Sequence, residues 1–243
     1  MYNIKDNIVA LATTPGQSAL NVVRCSGSGC LELYNTLTKG SARPKPNHAH
    51  LKTLYYKEKI IDQMMVTYFQ GPKSFTGEDL VEFSLHGGIV LIKNFISILE
   101  SCSFRQAMPG EFSYRAFING KIDLLQAEAI NSLINSNNQL DALYSLNNLK
   151  GGLSKLVNRS IDDLENLIVY IEHELDFDEN EIDFIKIEQH IEAARHIEKK
   201  IRKVLKGSFL ANEKKSNVNI VFAGKTNVGK SSLFNKIVGY ERS

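Results

Sequence analysis

Val218-Asn219-Ile220-Val221-Phe222-Ala223-Gly224-Lys225-Thr226-Asn227-Val228-Gly229-Lys230-Ser231-Ser232-Leu233-Phe234-Asn235-Lys236-Ile237-Val238 is the stretch from which the chain is read. Val218 to Ala223 is β-branched and almost wholly apolar, which predicts a buried parallel strand. Gly224 to Ser231 then satisfies G-x-x-x-x-G-K-[ST] in full. Leu233, Phe234, Ile237 and Val238 recur at helical spacing, and Gly239 is placed to end that helix. Glycines at both ends let backbone N–H groups converge on one concavity at a helix N-terminus, where unpaired donors and the dipole favour an anion. Lys230 is expected to reach the β/γ-phosphates, and the Ser231 hydroxyl to ligate Mg²⁺. The stretch predicts a nucleotide-phosphate site formed by Asn227, Val228, Gly229, Lys230, Ser231 and Ser232. Its competing reading is a plain glycine-containing turn.

Thirteen residues follow Lys230, whereas a doubly wound nucleotide domain needs several further βα units. The expectation is a chain that stops just after its nucleotide domain begins. Residues 232–243 hold no carboxylate strand, switch segment or base-reading motif, so the catalytic residues of such a domain are unknown from this sequence. Working outward, 243 residues with 43% hydrophobic content suit one large soluble domain or two small ones. A net charge of +2 does not point to nucleic acid by itself. Cys25, Cys30 and Cys102 form no C-x-x-C pair and cannot all be bridged, which predicts a reducing, cytoplasmic setting. No secretory leader or membrane-spanning run is legible.

Upstream, Ile8 to Thr13 and Leu20 to Cys25 read as strands around Thr14-Pro15-Gly16-Gln17. Cys30 to Thr38 reads as a helix. Leu51 to Lys57 and Ile61 to Phe69 read as a hairpin around Glu58-Lys59. A polar loop over Gly71 to Asp79 precedes a strand over Leu80 to His86. A helix over Ile89 to Ser101 follows, then a strand over Phe104 to Ala107 and a loop at Pro109-Gly110. This half is α+β. From about Asp123 the pattern turns helical through Leu124 to Ile134 and Leu140 to Ile171, with Gly151-Gly152 as a weak point. A last run covers Ile187 to Leu205 and is expected to stop at Gly207. Lys199, Lys200, Arg202, Lys203 and Lys206 then either complement that helix's dipole or form a nucleic-acid patch.

Asp176, Asp178 and Asn180 copy the first ligand positions of a calcium loop. Glu181 and Ile187 replace the required Gly and Glu, so an interhelical acidic corner is expected instead. His48 and His50 read as loop residues rather than ligands. His86, before Gly87-Gly88, reads equally as a ligand contact or as packing. On its strand Glu82 faces away from Val81, Phe83 and Leu85, as an exposed carboxylate or as a partner for a cationic or amide-like group. Arg24 and Lys121 are ambiguous in the same way.

Four segments together resemble the MnmE (TrmE) family of tRNA-modification GTPases. They are Thr13-Thr14-Pro15-Gly16 with Val22-Val23-Arg24-Cys25-Ser26-Gly27; Gly71-Pro72-Lys73-Ser74-Phe75-Thr76-Gly77-Glu78-Asp79; His86-Gly87-Gly88; and the long irregular run from Pro109-Gly110-Glu111-Phe112 through Asn119-Gly120-Lys121 to Ala129. The acidic turn Phe177 to Phe184 and the position of the phosphate loop fit as well. The resemblance implies an α+β folate-binding and dimerisation domain over 1–120 and an all-α helical domain over 121–212. It implies the first β–loop–α unit of an inserted α/β G domain over 213–243. It further implies a tetrahydrofolate one-carbon donor held by Arg24, Glu82 and Lys121, GTP with Mg²⁺ on Ser231, and K⁺ on Asn227. The implied partners are a second copy of the chain, the flavoprotein MnmG (GidA), and tRNA modified to 5-carboxymethylaminomethyluridine; no membrane is implied. The family's switch I Thr, D-x-x-G, N-K-x-D and C-terminal Cys motif have no counterpart in residues 1–243, so this chain alone is not expected to hydrolyse GTP. One alternative is a non-catalytic folate-binding and dimerisation fragment with a vestigial nucleotide loop. Another is an unrelated P-loop ATPase with a helical extension.

Overall fold

A computed structural model describes residues 3–176, 187–215, 222–224 and 229–238. They fall into two compact units, Met1–Lys155 and Leu156–Ser243.

The first unit is built on a mixed sheet of six strands in the order β3-β4-β5-β2-β1-β6. They are β1 (Asn7–Leu11), β2 (Leu20–Ser26), β3 (Ala49–Tyr56), β4 (Lys59–Phe69), β5 (Leu80–His86) and β6 (Phe104–Gln106). All neighbours run antiparallel except β1 and β6. Alternation sends Val9, Val23, Val66, Tyr68, Val81 and Phe83 to one face, where α1 (Cys30–Thr38) and α2 (Ile89–Ser101) cover them. Leu33 and Leu37 of α1 and Phe95 and Leu99 of α2 complete that core, and Phe83 meets Phe95 edge to face at 5.1 Å. Cys25 and Cys30 are buried there as free thiols, and burial pushes both well above the ordinary thiol range, which makes them unreactive.

The hairpin turns at Lys57-Glu58, one residue earlier than the composition suggested. Both residues sit at positive φ, the twist that a two-residue hairpin loop requires, and Lys39 pairs with Glu58 at 2.7 Å.

The sequence reading had no helix after Pro109-Gly110, but α3 spans Glu111–Ile118. Its period was hidden because two of the residues it buries are charged: Glu111 and Arg115 are each wholly inaccessible. They pair at 3.0 Å. Arg105 holds the same carboxylate through two nitrogens at 2.7 and 2.9 Å, and Met108 donates its backbone N–H at 2.9 Å. Arg115 also reaches Glu78 at 2.9 Å. Its Nε finds no acceptor among the described residues. Stripping one partner from such a buried set costs roughly 3–5 kcal/mol, because the other charge stays desolvated.

Next come α4 (Leu124–Ile134) and α5 (Gln139–Leu149). Asp123 and Gln126 form a reciprocal capping box at the start of α4, and the Asn138 side chain caps α5. The long helical pattern is therefore cut at Asn135–Asn138 and again at Lys150-Gly151, the second as anticipated.

Helix α6 (Gly152–Asp176), most of it in the second unit, and α7 (Ile187–Lys215) are linked by an ion pair between Asp163 and Lys200 and a hydrogen bond between Glu174 and His190. The two pairs together set the helices antiparallel. Helix α7 continues eight residues past Gly207. One glycine costs only about 1 kcal/mol in a helix interior, and the helix-compatible residues around it outweigh that. Lys199 to Lys203 accordingly lie more than two turns from the helix end, so the dipole reading fails, since that effect decays within the last turn. Helix α8 (Lys230–Val238) follows the phosphate loop. The predicted strand over Val218 to Ala223 lies largely outside the described residues, as does the end at Gly239. So does most of the acidic corner; among the described residues no group of three or more His, Cys, Asp or Glu is placed to hold a metal ion. Among the described residues no helix is long and apolar enough to cross a membrane.

Burial alone would raise the Glu111 carboxyl, but hydrogen bonds from Arg105, the Met108 N–H and Arg115 outweigh it and hold the group at about 2. In the unfolded chain it titrates near 4.5. Between these values the unfolded state binds a proton that the native state does not. The resulting stabilisation, on the order of 3 kcal/mol, is full above the unfolded value and is lost as pH falls toward 2. Urea unfolding followed by circular dichroism from pH 3 to 7 is expected to show this loss, and Glu111→Gln to flatten the pH dependence. An unchanged profile in the variant would remove Glu111 from the account.

Candidate functional site

The second face of the sheet is open over much of its area. Its residues lie in cross-strand rungs: Arg24, Glu82 and Thr67 on one; Val22, Ser84 and Met65 on the next; Leu20 and His86 beyond. Where β2 ends and β5 begins, this face is covered by the loop 71–79. Asp79 ties the loop's ends: it accepts from the Gly71 N–H at 2.9 Å and the Tyr68 hydroxyl at 2.7 Å, while its carbonyl takes the Gly27 N–H at 3.0 Å. Burial first, and this hydrogen bond second, push the Tyr68 phenol up, so it remains a donor.

Ser26 is the junction between sheet and loop. Its Oγ lies 2.7 Å from Thr76 Oγ1 and donates to Glu78 at 2.8 Å. Glu78 in turn takes Arg115, and Asn119 donates to the Thr76 carbonyl at 2.7 Å. The loop is thus held by a chain of bonds that ends in the buried Glu111–Arg115 pair. Gly77, at φ +79, is the closest approach in it. A Cβ there would meet Asn119 Cβ at 2.9 Å and Lys121 Cγ at 3.3 Å.

Two of the three residues expected to hold folate meet each other. Arg24 Nε donates to Glu82 Oε1 at 2.7 Å across the β2–β5 ladder. Both are partly exposed, at 42% and 27%, so the pair is worth about 1 kcal/mol or less. Glu82 Oε2 makes no hydrogen bond among the described residues. Lys121 is exposed in the turn after α3, its stem against Gly77, and makes no ion pair with Glu82 among the described residues. Ser26, Thr76, Glu78 and Arg115 were missed as site supports. The only signal for them was their place inside three of the quoted segments: Ser26 in the first, Thr76 and Glu78 in the second, Arg115 in the last.

At the phosphate loop, Gly229 takes φ +89 with open space where a Cβ would stand, and its carbonyl accepts from Leu233 N–H to open α8. Lys230 extends its ammonium back to the Gly224 carbonyl at 2.9 Å. Ser231 and Ser232 lie exposed in the first turn of α8, and Phe234 packs edge to face with Phe222 at 6.3 Å. Asn227 and Val228 lie outside the described residues.

With this geometry in place, the chain matches three family models. One described as "GTP-binding protein TrmE N-terminus" covers residues 7–121, "MnmE helical domain" covers 124–212, and "50S ribosome-binding GTPase" covers 219–243. It is 37% identical over 241 residues to a "tRNA modification GTPase MnmE" of Aquifex aeolicus, covering 99% of this chain and 54% of the relative. It is 38% identical over 243 residues to one of Coxiella burnetii, with 99% and 53% covered. A third, of Alkaliphilus oremlandii, is 34% identical over 250 residues, with 100% and 54% covered. The chain spans about half the length of these curated relatives.

Gly77→Ala is expected to lower the thermal midpoint more than Gly110→Ala. Both impose a positive φ at a cost of roughly 1 kcal/mol, but only the first drives a methyl group into Asn119 and Lys121. Equal shifts in differential scanning calorimetry would show that the loop does not bear tightly on that turn.

Proposed function

Because the chain belongs to the MnmE (TrmE) family of tRNA modification GTPases, we propose that its N-terminal unit binds a tetrahydrofolate one-carbon derivative through Arg24, Glu82 and Lys121, and that its phosphate loop binds GTP. The observation that carries the folate reading is the state of Glu82. One carboxylate oxygen is taken by a neighbour that is cheap to displace, and the other has no hydrogen bond among the described residues, on an open and partly apolar face. A carboxylate so placed suits the paired N–H donors on the edge of a pterin ring, which it accepts as two parallel hydrogen bonds. Releasing Arg24 costs about 1 kcal/mol or less, and frees a guanidinium for a ring oxygen or carboxylate of the same ligand. Lys121, exposed and backed by Gly77, supplies a second cation.

Bound tetrahydrofolate would supply a one-carbon unit; this chain's own residues bind and orient it. For GTP, the fit rests on Gly229 and Lys230. The glycine's positive φ turns the loop into the helix, and the ammonium already spans the loop to Gly224, where phosphate oxygens would replace a carbonyl as acceptor. Ser231 would hold Mg²⁺ and Asn227 would hold K⁺, with Val228 and Ser232 completing the phosphate cradle. Bound Mg²⁺ would neutralise charge on the phosphates.

For the whole protein we propose GTP hydrolysis coupled to 5-carboxymethylaminomethyl formation at the tRNA wobble uridine. It acts in the cytoplasm as a homodimer through the N-terminal domain, with the flavoprotein MnmG. The working division is 1–120 for folate and dimerisation, 121–212 for the helical domain and 213–243 for the start of the G domain; the boundaries of the matched families lie close to these positions.

Calorimetric titration of the 243-residue chain with 5-formyltetrahydrofolate is expected to give saturable binding that Glu82→Ala weakens at least tenfold with little change in thermal midpoint. No binding by the folded chain would overturn the folate reading. Lys230→Ala is expected to abolish binding of a fluorescent GTP analogue, since it removes the loop's main point charge; unchanged affinity would remove the phosphate site.

A further inference from the structure

Helices α6 and α7 meet along a line whose two edges differ. On one edge stand the apolar residues that the pair leaves exposed, among them Ile161, Ile168, Ile201 and Leu205. The other edge is a cleft of about 430 Å³ with a polar rim. Its rim residues Asp163 and Tyr170 are each two positions from Ile161 and Ile168, roughly 160° round the helix. Leu167, Ala193 and the buried Ile197 line the inner part of the cleft. Asn166, Tyr170, Gln189 and His196 stand around it, all exposed.

The cleft carries its positive charge toward one end. Arg159, Asp163, Asn166 and Tyr170 recur at spacings of four and three and so share a ridge of α6; His196, Lys199, Lys200 and Lys203 do the same on α7. Asp163 pairs with Lys200, and the helices are antiparallel, so Arg159 comes level with Lys203. Arg159, Lys199 and Lys203 are exposed and make no ion pair among the described residues. The Asp163–Lys200 pair is itself 38% and 48% exposed, a weak hold that phosphate oxygens can replace. Four cations therefore stand against Asp163 and, beside Arg159, Asp162; Glu192 lies toward the other end, and Glu198 is taken by Arg202. That other end holds Tyr170, 60% exposed, with the amides of Asn166 and Gln189 on the same rim. Tyr170 and Arg159 are separated by about 16 Å along the helix, the reach of a few nucleotides.

We propose that the cleft between α6 and α7 binds an unpaired segment of RNA, with one base stacked on Tyr170 and the neighbouring phosphates on Lys199, Lys200, Lys203 and Arg159. An exposed aromatic ring over an apolar floor takes the face of a base, the amides take its edge, and the cations take the backbone. A duplex keeps its bases stacked on one another and offers none to the ring. An acidic protein segment would satisfy the cations but give the ring and the amides no role. The cleft stands on this geometry; that the RNA is tRNA rests on the function proposed above.

The test is fluorescence anisotropy of the 243-residue chain with a labelled oligouridine of about ten nucleotides, an RNA duplex of the same length and an unmodified tRNA transcript with a wobble uridine. Oligouridine and tRNA are expected to bind, and the duplex much more weakly. Tyr170→Leu is expected to weaken oligouridine roughly tenfold, the value of one stacked base, and Tyr170→Phe, which keeps the ring, to bind as the unsubstituted chain does. Replacing Lys199 and Lys203 together by Ala is expected to lower the slope of log affinity against log salt by about 1.4, since each phosphate contact on a single strand contributes about 0.7. Affinity unchanged in Tyr170→Leu, or a duplex bound as tightly as the single strand, overturns the proposal by reducing the cleft to a general basic patch. Displacement of oligouridine by polyglutamate as readily as by unlabelled oligouridine overturns it in favour of an acidic protein partner. Oligouridine binding that depends on Tyr170, without tRNA binding, upholds the cleft and overturns the tRNA reading. No RNA binding by the unsubstituted chain overturns the proposal and leaves the tRNA reading to the partner flavoprotein.

Discussion

The N-terminal unit depends on one buried charge cluster. Glu111 and Arg115 are fully enclosed, a turn apart on a helix of eight residues, and neither can be left alone without a large desolvation cost. Each therefore recruits partners from elsewhere in the chain. Arg105 comes from β6 and brings Asp6, just ahead of β1, with it at 2.7 Å. Glu78 comes from the loop 71–79 and brings Ser26 of β2. Five segments, drawn from residues 6 to 115, are thus tied at one point by groups that have no better alternative. The apolar core on the other face shapes the sheet. The charge cluster fixes what lies over its open face.

That division of labour explains the contrast between support and site. The bonds under the loop are short, enclosed and mutually satisfied, so they hold Thr76 and Gly77 against the turn that carries Lys121. The Arg24–Glu82 pair, two residues along β2 from Ser26, is solvated and weak. A site needs both: a frame that does not move, and surface groups whose existing partners are cheap to exchange for a ligand. The phosphate loop shows the same economy on a smaller scale, with Lys230 resting on a carbonyl of its own loop.

Much of this was legible in the sequence where the governing rule is local. Alternation placed β2 and β5, and helical spacing placed α1 and α2. The turn to helical pattern was read from about Asp123, and α4 starts at Leu124. The phosphate loop is a pattern whose every position has a stated job. What was not legible depends on distant partners. Helix α3 looked like loop because Glu111 and Arg115 read as surface residues until Arg105 and Glu78 are seen around them. Arg24 and Glu82 were each ambiguous, since nothing in a sequence announces that residues 58 apart will stand on one rung. Gly207 misled for the opposite reason: a local stop signal was outweighed by the helix-forming residues that surround it. The sites themselves rest on the residue matches to a family whose models span most of the chain.

The central claim is that the open face of the sheet, framed by this cluster, is a folate site. The most direct measurement is a crystal structure of the chain grown with 5-formyltetrahydrofolate. The account predicts a pterin with its ring donors on the Glu82 carboxylate, while the loop 71–79 and the Glu111–Arg115 pair stay where they are. Folate seated away from Glu82, or a loop and charge cluster that rearrange to admit it, would contradict the account.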